Sequence, residues 1–130
     1  MSKRRSIEVP GISHGANPIP AATRIGPFLI SGGISGKDID AGKFSDSVAA
    51  QCKAMFVNVR RVLQAAGCST DDVIKMTIWV RDKEARNSLN PEWVAMFPDA
   101  ASRPVRHVLL NPDLAGAMLV QCEIMAVITP

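Results

Sequence analysis

The sequence lacks tyrosine, and its few phenylalanine and tryptophan residues make up only 5% of the 130 residues. A hydrophobic core in this chain must therefore consist mainly of aliphatic side chains, methionine and alanine. No apolar run approaches the roughly 18 residues that a membrane-spanning helix needs, and residues 6–30 contain no stretch of signal-peptide type. We therefore expect a cytoplasmic protein that does not associate with a membrane.

Residues that bind metals or carry redox chemistry are also scarce. The three cysteines are odd in number and have no metal-ligand or redox spacing, and His14 and His107 form no cluster with them. A P-loop, a nucleophile elbow and a dinucleotide-binding glycine fingerprint are absent. The net charge is only +3, and the basic run Lys3–Arg5 is typical of a solvated tail. We therefore expect no metal site, and nucleic-acid binding is disfavoured.

The chain contains enough apolar material for one folded domain over residues 1–130. Hydrophobic residues make up 47% of it and charged residues 21%, which is typical of a globular domain rather than of disorder. Glycine and proline break the early part of the chain into short strands, and later segments alternate with the period of a strand. The predicted strands span residues 5–9, 19–24, 28–32, 73–81, 105–110 and 118–128.

Two helical regions are predicted between these strands. The first begins at a cap provided by Ser45 or Asp46 and ends at Gly67, where a left-handed residue is expected. The second spans residues 83–97 and is expected to break at its internal Asn-Pro pair, because asparagine caps helices well and proline suits the first helical position. This order of elements predicts an α+β fold with helices on one face of a sheet.

The strand over residues 73–81 alternates strictly between two kinds of side chain. The residues predicted to face the core are Ile74, Met76, Ile78 and Val80. The opposite face carries Lys75, Thr77 and Trp79, a set too varied for a plain solvent-exposed surface. An oligomer interface would explain this face, so we expect a partner subunit to cover it.

Arg106 lies inside an apolar strand, with no acidic residue close to it in sequence. A half-buried guanidinium is costly unless an anion meets it, and a carboxylate can bind it through two parallel hydrogen bonds. Two partners remain open from the residues alone: a ligand, or a distant side chain such as Glu123. Gln121 and Glu123 are predicted to share one face of the last strand, roughly 6.5–7 Å apart, so they could serve one small cleft.

Several segments together resemble one known family. They are Phe28–Gly33, Gln51–Gly67, Asp72–Asp82, Asn90–Phe97, Pro104–Arg106 and Val120–Val127. In this order and spacing they resemble the RidA/YjgF family, the reactive intermediate deaminases also known as endoribonuclease L-PSP proteins. The likeness covers nearly the whole chain from about residue 20.

The resemblance implies a chorismate-mutase-like fold, a mixed sheet of about six strands with two main helices on one face. It also implies a homotrimer whose clefts lie between subunits. Deaminating members hydrolyse enamines and imines, such as 2-aminoacrylate, to 2-keto acids and ammonia without a metal or cofactor. The expected partners are therefore a small carboxylate substrate and further copies of the chain.

Four site residues follow from the resemblance position by position. Arg106 falls on the arginine that clamps the substrate carboxylate, and Gly32 on the glycine whose backbone lines the pocket. Asn90 falls on the asparagine near the rim of that pocket. Val108 takes a place often occupied by cysteine, where the backbone faces the ligand.

The sequence departs from the family pattern where water is handled. Gln121 stands in place of a glutamate that positions the attacking water, and an amide orients water but cannot accept a proton at neutral pH. Pro18 stands in place of a cleft tyrosine. Proton transfer would then fall to His14, which we favour, to His107, or to Glu123.

These observations predict an enzyme that deaminates small 2-imino acids or longer unsaturated amino acids, such as aminomuconate-type compounds. Arg106 anchors the carboxylate, Gln121 orients water and His14 shuttles protons. One alternative is a trimer that binds small carboxylic acids as a sensor or carrier without turnover. Another is a ribonuclease or translation inhibitor, which the low charge and few aromatics do little to support.

Overall fold

A seven-stranded mixed sheet lies at the centre of the computed structural model, which describes residues 3–12 and 14–128. The strands are β1 Arg4–Ile7, β2 Ala22–Ile25, β3 Phe28–Ser31, β4 Ile34–Ser35, β5 Val73–Val80, β6 Val105–Leu110 and β7 Val120–Val127. Their order is β1-β2-β3-β7-β5-β6, and β4 also pairs with β7. Neighbouring strands are antiparallel except β5 and β6, which are parallel. The predicted α+β class and mixed sheet are confirmed, with the two-residue β4 as an unpredicted addition.

Two helices, α1 Val48–Ala66 and α2 Arg86–Met96, contact each other and share one hydrophobic core with one face of the sheet. The sheet contributes the fully buried side chains of Met76, Ile78, Val80, Cys122 and Ile124. Helix α1 contributes a stripe at the three-four spacing that buries one helix face. Neither helix in the described part of the chain is long and apolar enough to cross a membrane.

The ends of α1 follow from local side-chain chemistry. Ser47 is the N-cap, since its hydroxyl accepts a hydrogen bond from the backbone N–H of Ala50 at 3.2 Å. The predicted caps Ser45 and Asp46 are therefore wrong by one or two residues. Gly67 ends the helix with a φ of 75°, in the left-handed conformation that was predicted for it.

Helix α2 runs through Pro91 without interruption, so the predicted break at this position is wrong. Proline removes one hydrogen bond of the helix ladder, the one that would reach back four residues. The buried side chains of Leu89, Trp93 and Met96 lie on one stripe of the helix and pack into the core on both sides of the proline. Their burial fixes the helix direction more strongly than one missing bond disturbs it.

The start of β5 differs from the strict alternation that the sequence suggested. Met76, Ile78 and Val80 are buried as predicted, but Ile74 is 50% exposed and Val73 is buried in its place. The pairing of β5 with β7 shifts register between Val73 and Lys75. An irregularity of this kind turns a side chain to the other face, which explains the exposure of Ile74.

We call the sheet face opposite the helices the open face. Its large apolar side chains are exposed in the single chain: Phe28 by 61%, Ile30 by 52%, Val105 by 66%, Leu109 by 47% and Met125 by 39%. Strand pairing aligns Ile30, Met125, Lys75 and Val105 in one row across β3, β7, β5 and β6. A contiguous apolar surface of this kind usually marks an interaction site.

Candidate functional site

A cavity of about 310 Å³ opens beside the start of β7. We call it the loop cavity, and its polar lining includes His14, Lys37, Asn58 and Gln121. The side-chain amide of Asn58 on α1 donates to the carbonyl oxygens of Ser35 and Lys37, each at 2.9 Å. The cavity wall after β4 is therefore tied to the most regular element of the fold.

The start of β7 is anchored by the buried amide of Gln51 on α1. This amide donates to the carbonyl oxygens of Ser45 and Ala117 and accepts from the N–H of Leu119, so its oxygen and nitrogen are both satisfied. A Cβ at Gly36 would overlap the backbone carbonyl of Gln51. Glycine thus allows the chain to pass directly over α1 and holds the loop cavity against that helix.

Gln121 lies tightly against the backbone of Gly33. A Cβ at Gly33 would lie only 2.6 Å from Nε2 of Gln121. The same Nε2 atom donates a weak hydrogen bond to the sulfur of Met118 at 3.9 Å. The Gln121 amide thus retains hydrogen-bonding capacity for a water molecule or a ligand in the cavity.

His14 contributes a second polar group to the same cavity. Its Nε2 atom is buried and has no hydrogen-bond partner among the residues that the structure describes. It lies 3.4 Å from the position that a Cβ would take at Gly32. A buried ring nitrogen without a partner is costly, and this atom lies against Gly32 with no surface open to the cavity in the single chain. The structure therefore brings Gly32, His14 and Gln121 to one place.

Arg106 lies in a different place, between β6 and α2. Its Nη2 donates to Oδ1 of Asn90 at 2.9 Å, and its guanidinium carbon lies 5.0 Å from the centre of the Trp93 ring, a cation–π contact. Its Nη1 is buried, with no hydrogen-bond partner in the described part of the chain. Burial lowers the pKa of Arg106, and the charge of Arg86 lowers it further, yet an arginine remains cationic at any accessible pH.

The alternative pairing of Arg106 with Glu123 does not occur. Arg106 is opposite Met76 in the sheet and points to the helix side, whereas Glu123 is opposite Thr77 on the open face. Within residues 3–12 and 14–128 no carboxylate forms a salt bridge with Arg106. The guanidinium is therefore held in position by neutral groups, without a counter-ion among the described residues.

The other predicted site residues take varied positions. Val108 lies beside Arg106 on β6, and its carbonyl oxygen accepts a hydrogen bond from Nη2 of Arg86 at 3.2 Å. Pro18 is exposed and does not line the loop cavity. His107 lies on the open face across from Thr77, away from His14. Among the residues described, no three histidine, cysteine, aspartate or glutamate side chains could together hold a metal ion.

A single chain keeps the two groups of site residues apart. Gln121 pairs with Trp79, which pairs with Leu109, three residues along β6 from Arg106. Gln121 and Arg106 are therefore separated by roughly 10 Å across the strands and roughly 10 Å along them. Their side chains also lie on opposite faces of the sheet. One copy of the chain therefore cannot present Arg106 and Gln121 to the same small molecule.

Three residues at these sites, Arg86, Trp93 and Gly33, were not found as site residues from the sequence. Arg86, Asn90 and Trp93 follow the i, i+4, i+7 spacing of one helix face, but the expected break before Pro91 concealed it. Gly33 was noted only as the end of a segment that resembles the family, and its neighbour is set by the pairing of β4 with β7. Such pairing joins residues far apart in sequence and leaves no local signal.

Comparison with known proteins gives consistent matches over this fold. A family model described as Endoribonuclease L-PSP matches residues 14–128. A RutC family protein of Aquifex aeolicus is 28% identical over 123 residues, which cover 95% of this chain and 98% of that protein. The 2-iminobutanoate/2-iminopropanoate deaminase of Salmonella typhimurium is 26% identical over 111 residues, covering 85% of this chain and 87% of the enzyme.

Solved structures agree with the fold. Escherichia coli TdcF with bound serine superimposes with a TM-score of 0.86 over 96% of this chain and 99% of that one, at 22% sequence identity. Agreement at this identity establishes the shared architecture. Because the family model covers strands β2 to β7, both helices and both groups of site residues, the chain belongs to the RidA/YjgF family of endoribonuclease L-PSP proteins.

Proposed function

We propose that the protein hydrolyses 2-imino acids to 2-keto acids and ammonia in clefts between the subunits of a homotrimer. The observation that carries the proposal is the setting of the Arg106 guanidinium. This group is partly buried, is held by Asn90 and Trp93, and forms no salt bridge with a carboxylate in the described part of the chain. A substrate carboxylate is its natural counter-ion. The imine-deaminase name of the Salmonella relative supports this substrate class.

The separation of the two groups of residues supports an assembly in which they meet across a contact between subunits. Arg106 of one copy would meet the loop cavity of the next copy across the open face, whose exposed apolar side chains would be buried by this contact. Each cleft would then contain a cation for the carboxylate on one side and His14 with Gln121 on the other. The bound serine in the TdcF structure, a small amino acid, is compatible with such a cleft.

The proposed reaction adds water to the C=N carbon of the imino acid and then expels ammonia. Gln121 orients the water through its amide, and His14 carries both protons of that water to the nitrogen in turn. The first moves as the hydroxyl adds to the carbon, and the second leaves that hydroxyl as the C–N bond breaks and ammonia departs. Arg106 fixes the carboxylate and stabilises the negative charge beside the reacting carbon. An imine is already reactive, so positioning supplies most of the acceleration that is needed.

The test generates 2-imino acids in situ with an amino-acid oxidase and measures keto-acid release with and without the protein. We expect faster release with the wild-type chain. Arg106→Ala should lower kcat/KM by about 100-fold or more, because two charge-assisted hydrogen bonds contribute about 3 kcal/mol or more. Arg60→Ala, on an exposed position of α1, is the matched control. Unchanged turnover in Arg106→Ala would contradict the proposal.

One observation favours a second function, the binding of small carboxylic acids without turnover. Gln121 provides an amide, which cannot act as a general base at neutral pH. A trimer that binds small keto acids at Arg106 without turnover would therefore keep the same clefts. Binding of 2-oxobutanoate by calorimetry, with no acceleration of imine hydrolysis, would select this function.

A further inference from the structure

A second arginine lies next to Arg106 in the same groove. Arg86, the first residue of α2, reaches β6 and donates to the carbonyl oxygen of Val108. Asn90, one helical turn later, holds Arg106. We call the space between α2 and β6, bounded by Arg86, Asn90, Trp93, Arg106 and Val108, the arginine groove.

Each of the two cations is held by a hydrogen bond to the element facing it. Residues 86 and 90 are one helical turn apart, about 6 Å, and residues 106 and 108 of β6 lie about 7 Å apart on the same strand face. The Arg86 guanidinium donates to the carbonyl oxygen of Val108, and the Arg106 guanidinium donates to Oδ1 of Asn90. Both side chains therefore span the same gap between α2 and β6, and Arg86 is close enough to act on the charge of Arg106.

No carboxylate in the described part of the chain lies within salt-bridge distance of these cations. The two charges act on each other, since Arg86 contributes to the lowered pKa of Arg106. Like charges held close together are unfavourable. A ligand with two anionic groups would offset the repulsion between the two cations.

We propose that Arg86 is a specificity-determining residue that selects 2-imino acids with a second carboxylate. This inference rests on the proposed function and narrows its substrate class. Arg106 would bind the carboxylate next to the imine carbon, and Arg86 would bind the carboxylate at the far end of a four- or five-carbon chain. A second carboxylate forms charge-assisted hydrogen bonds with Arg86, which an uncharged alkyl end cannot form.

Binding measurements can test this without turnover. The probes are 2-oxoglutarate, with two carboxylates, and 2-oxobutanoate, with one, and the Kd of each is measured by calorimetry on the assembled protein. We expect the wild-type protein to bind 2-oxoglutarate about tenfold more tightly or better. Arg86→Gln should reduce this preference about tenfold, which corresponds to about 1.4 kcal/mol. Arg86→Lys, which keeps the charge, should retain most of it.

Two controls separate recognition from a structural role. Arg60→Gln removes a surface arginine from α1 and should leave the ratio of the two Kd values as in the wild type. If the contact with Val108 only braces the edge of β6, Arg86→Gln would weaken both acids equally and lower the melting temperature. That result would overturn the inference, as would a wild-type protein that binds both acids equally or binds neither.

The kinetic counterpart compares imines generated from glutamate and from 2-aminobutyrate. Acceleration that favours the glutamate imine and loses this preference in Arg86→Gln supports the inference. If neither imine is accelerated but the preference in Kd holds, the proposed enzymatic function fails and the selection of two-carboxylate ligands stands. If both imines are accelerated equally, the proposed function stands and the inference fails.

Discussion

At the scale of single residues, the close packing of Gln121 on Gly33 makes a glycine part of the candidate site. An alanine at position 33 would place its Cβ 2.6 Å from Nε2 of Gln121, so the amide would have to move. The atom in the way is the end of a flexible side chain, and the strand pairing around it can persist. We therefore expect a change in the site rather than in the fold.

Gly33→Ala should lower kcat for imine hydrolysis by about tenfold or more, because a displaced amide no longer orients water. The free energy of unfolding, measured with urea, should change by less than about 1 kcal/mol. Gln121→Ala is the matched variant, and the double variant should be no worse than Gln121→Ala alone. Full turnover in Gly33→Ala would show that the amide position is unimportant.

The residue scale also shows what the sequence could establish about the site. Arg106 was recognised because a cation in an apolar strand with no acid nearby is visible in the sequence itself. Its neighbours were not, since Trp93 and Arg86 reach it only when α2 packs beside β6. The roles of His14, Gln121, Asn90, Val108 and Pro18 remain predictions.

At the scale of elements, α1 was predicted well because its apolar spacing is a local property of the sequence. Its cap was misplaced because several residues before the helix are of cap-forming types, and only the backbone geometry selects Ser47. The opposite error occurred in α2, where Pro91 predicted a break. The helix continues because the buried side chains on both sides of Pro91 stabilise it. A prediction from local sequence fails where tertiary packing stabilises a conformation by more free energy than the local preference costs.

The capping of α1 is directly testable. Ser47→Ala should lower the free energy of unfolding by about 1 kcal/mol, because one backbone N–H at the helix start loses its acceptor. Asp46→Ala, at the exposed neighbouring position that was predicted as an alternative cap, should have a smaller effect. Urea unfolding followed by circular dichroism measures both. A larger loss in Asp46→Ala would contradict the assignment of Ser47.

At the scale of the whole molecule, the open face is the main exposed apolar surface that a partner subunit would cover. Apolar side chains from β3, β7 and β6 lie on it together, beside Lys75 and Trp79. The expectation that a partner covers this face came from the alternation in β5, before any residue could be placed in three dimensions. The trimer itself remains a proposal that this surface supports.

Met125→Lys tests the proposed assembly. It places a second cation directly opposite Lys75 in the centre of the open face, where like charges are unfavourable. We expect native mass spectrometry to show the mass of three chains for the wild type and of one chain for the variant, with at least tenfold lower hydrolysis. Val57→Lys, on an equally exposed position of α1, should remain assembled. A fully assembled and active Met125→Lys protein would exclude this face as the interface.

The placement of Arg106 and Gln121 on opposite sides of one sheet has a consequence for regulation. On the proposed arrangement, a newly made copy of this chain is inert until it meets others, although it is already folded. Dilution would switch the chemistry off without denaturation, and the specific rate would rise with protein concentration. Abundance would thus govern both the amount of catalyst and the fraction of it that works.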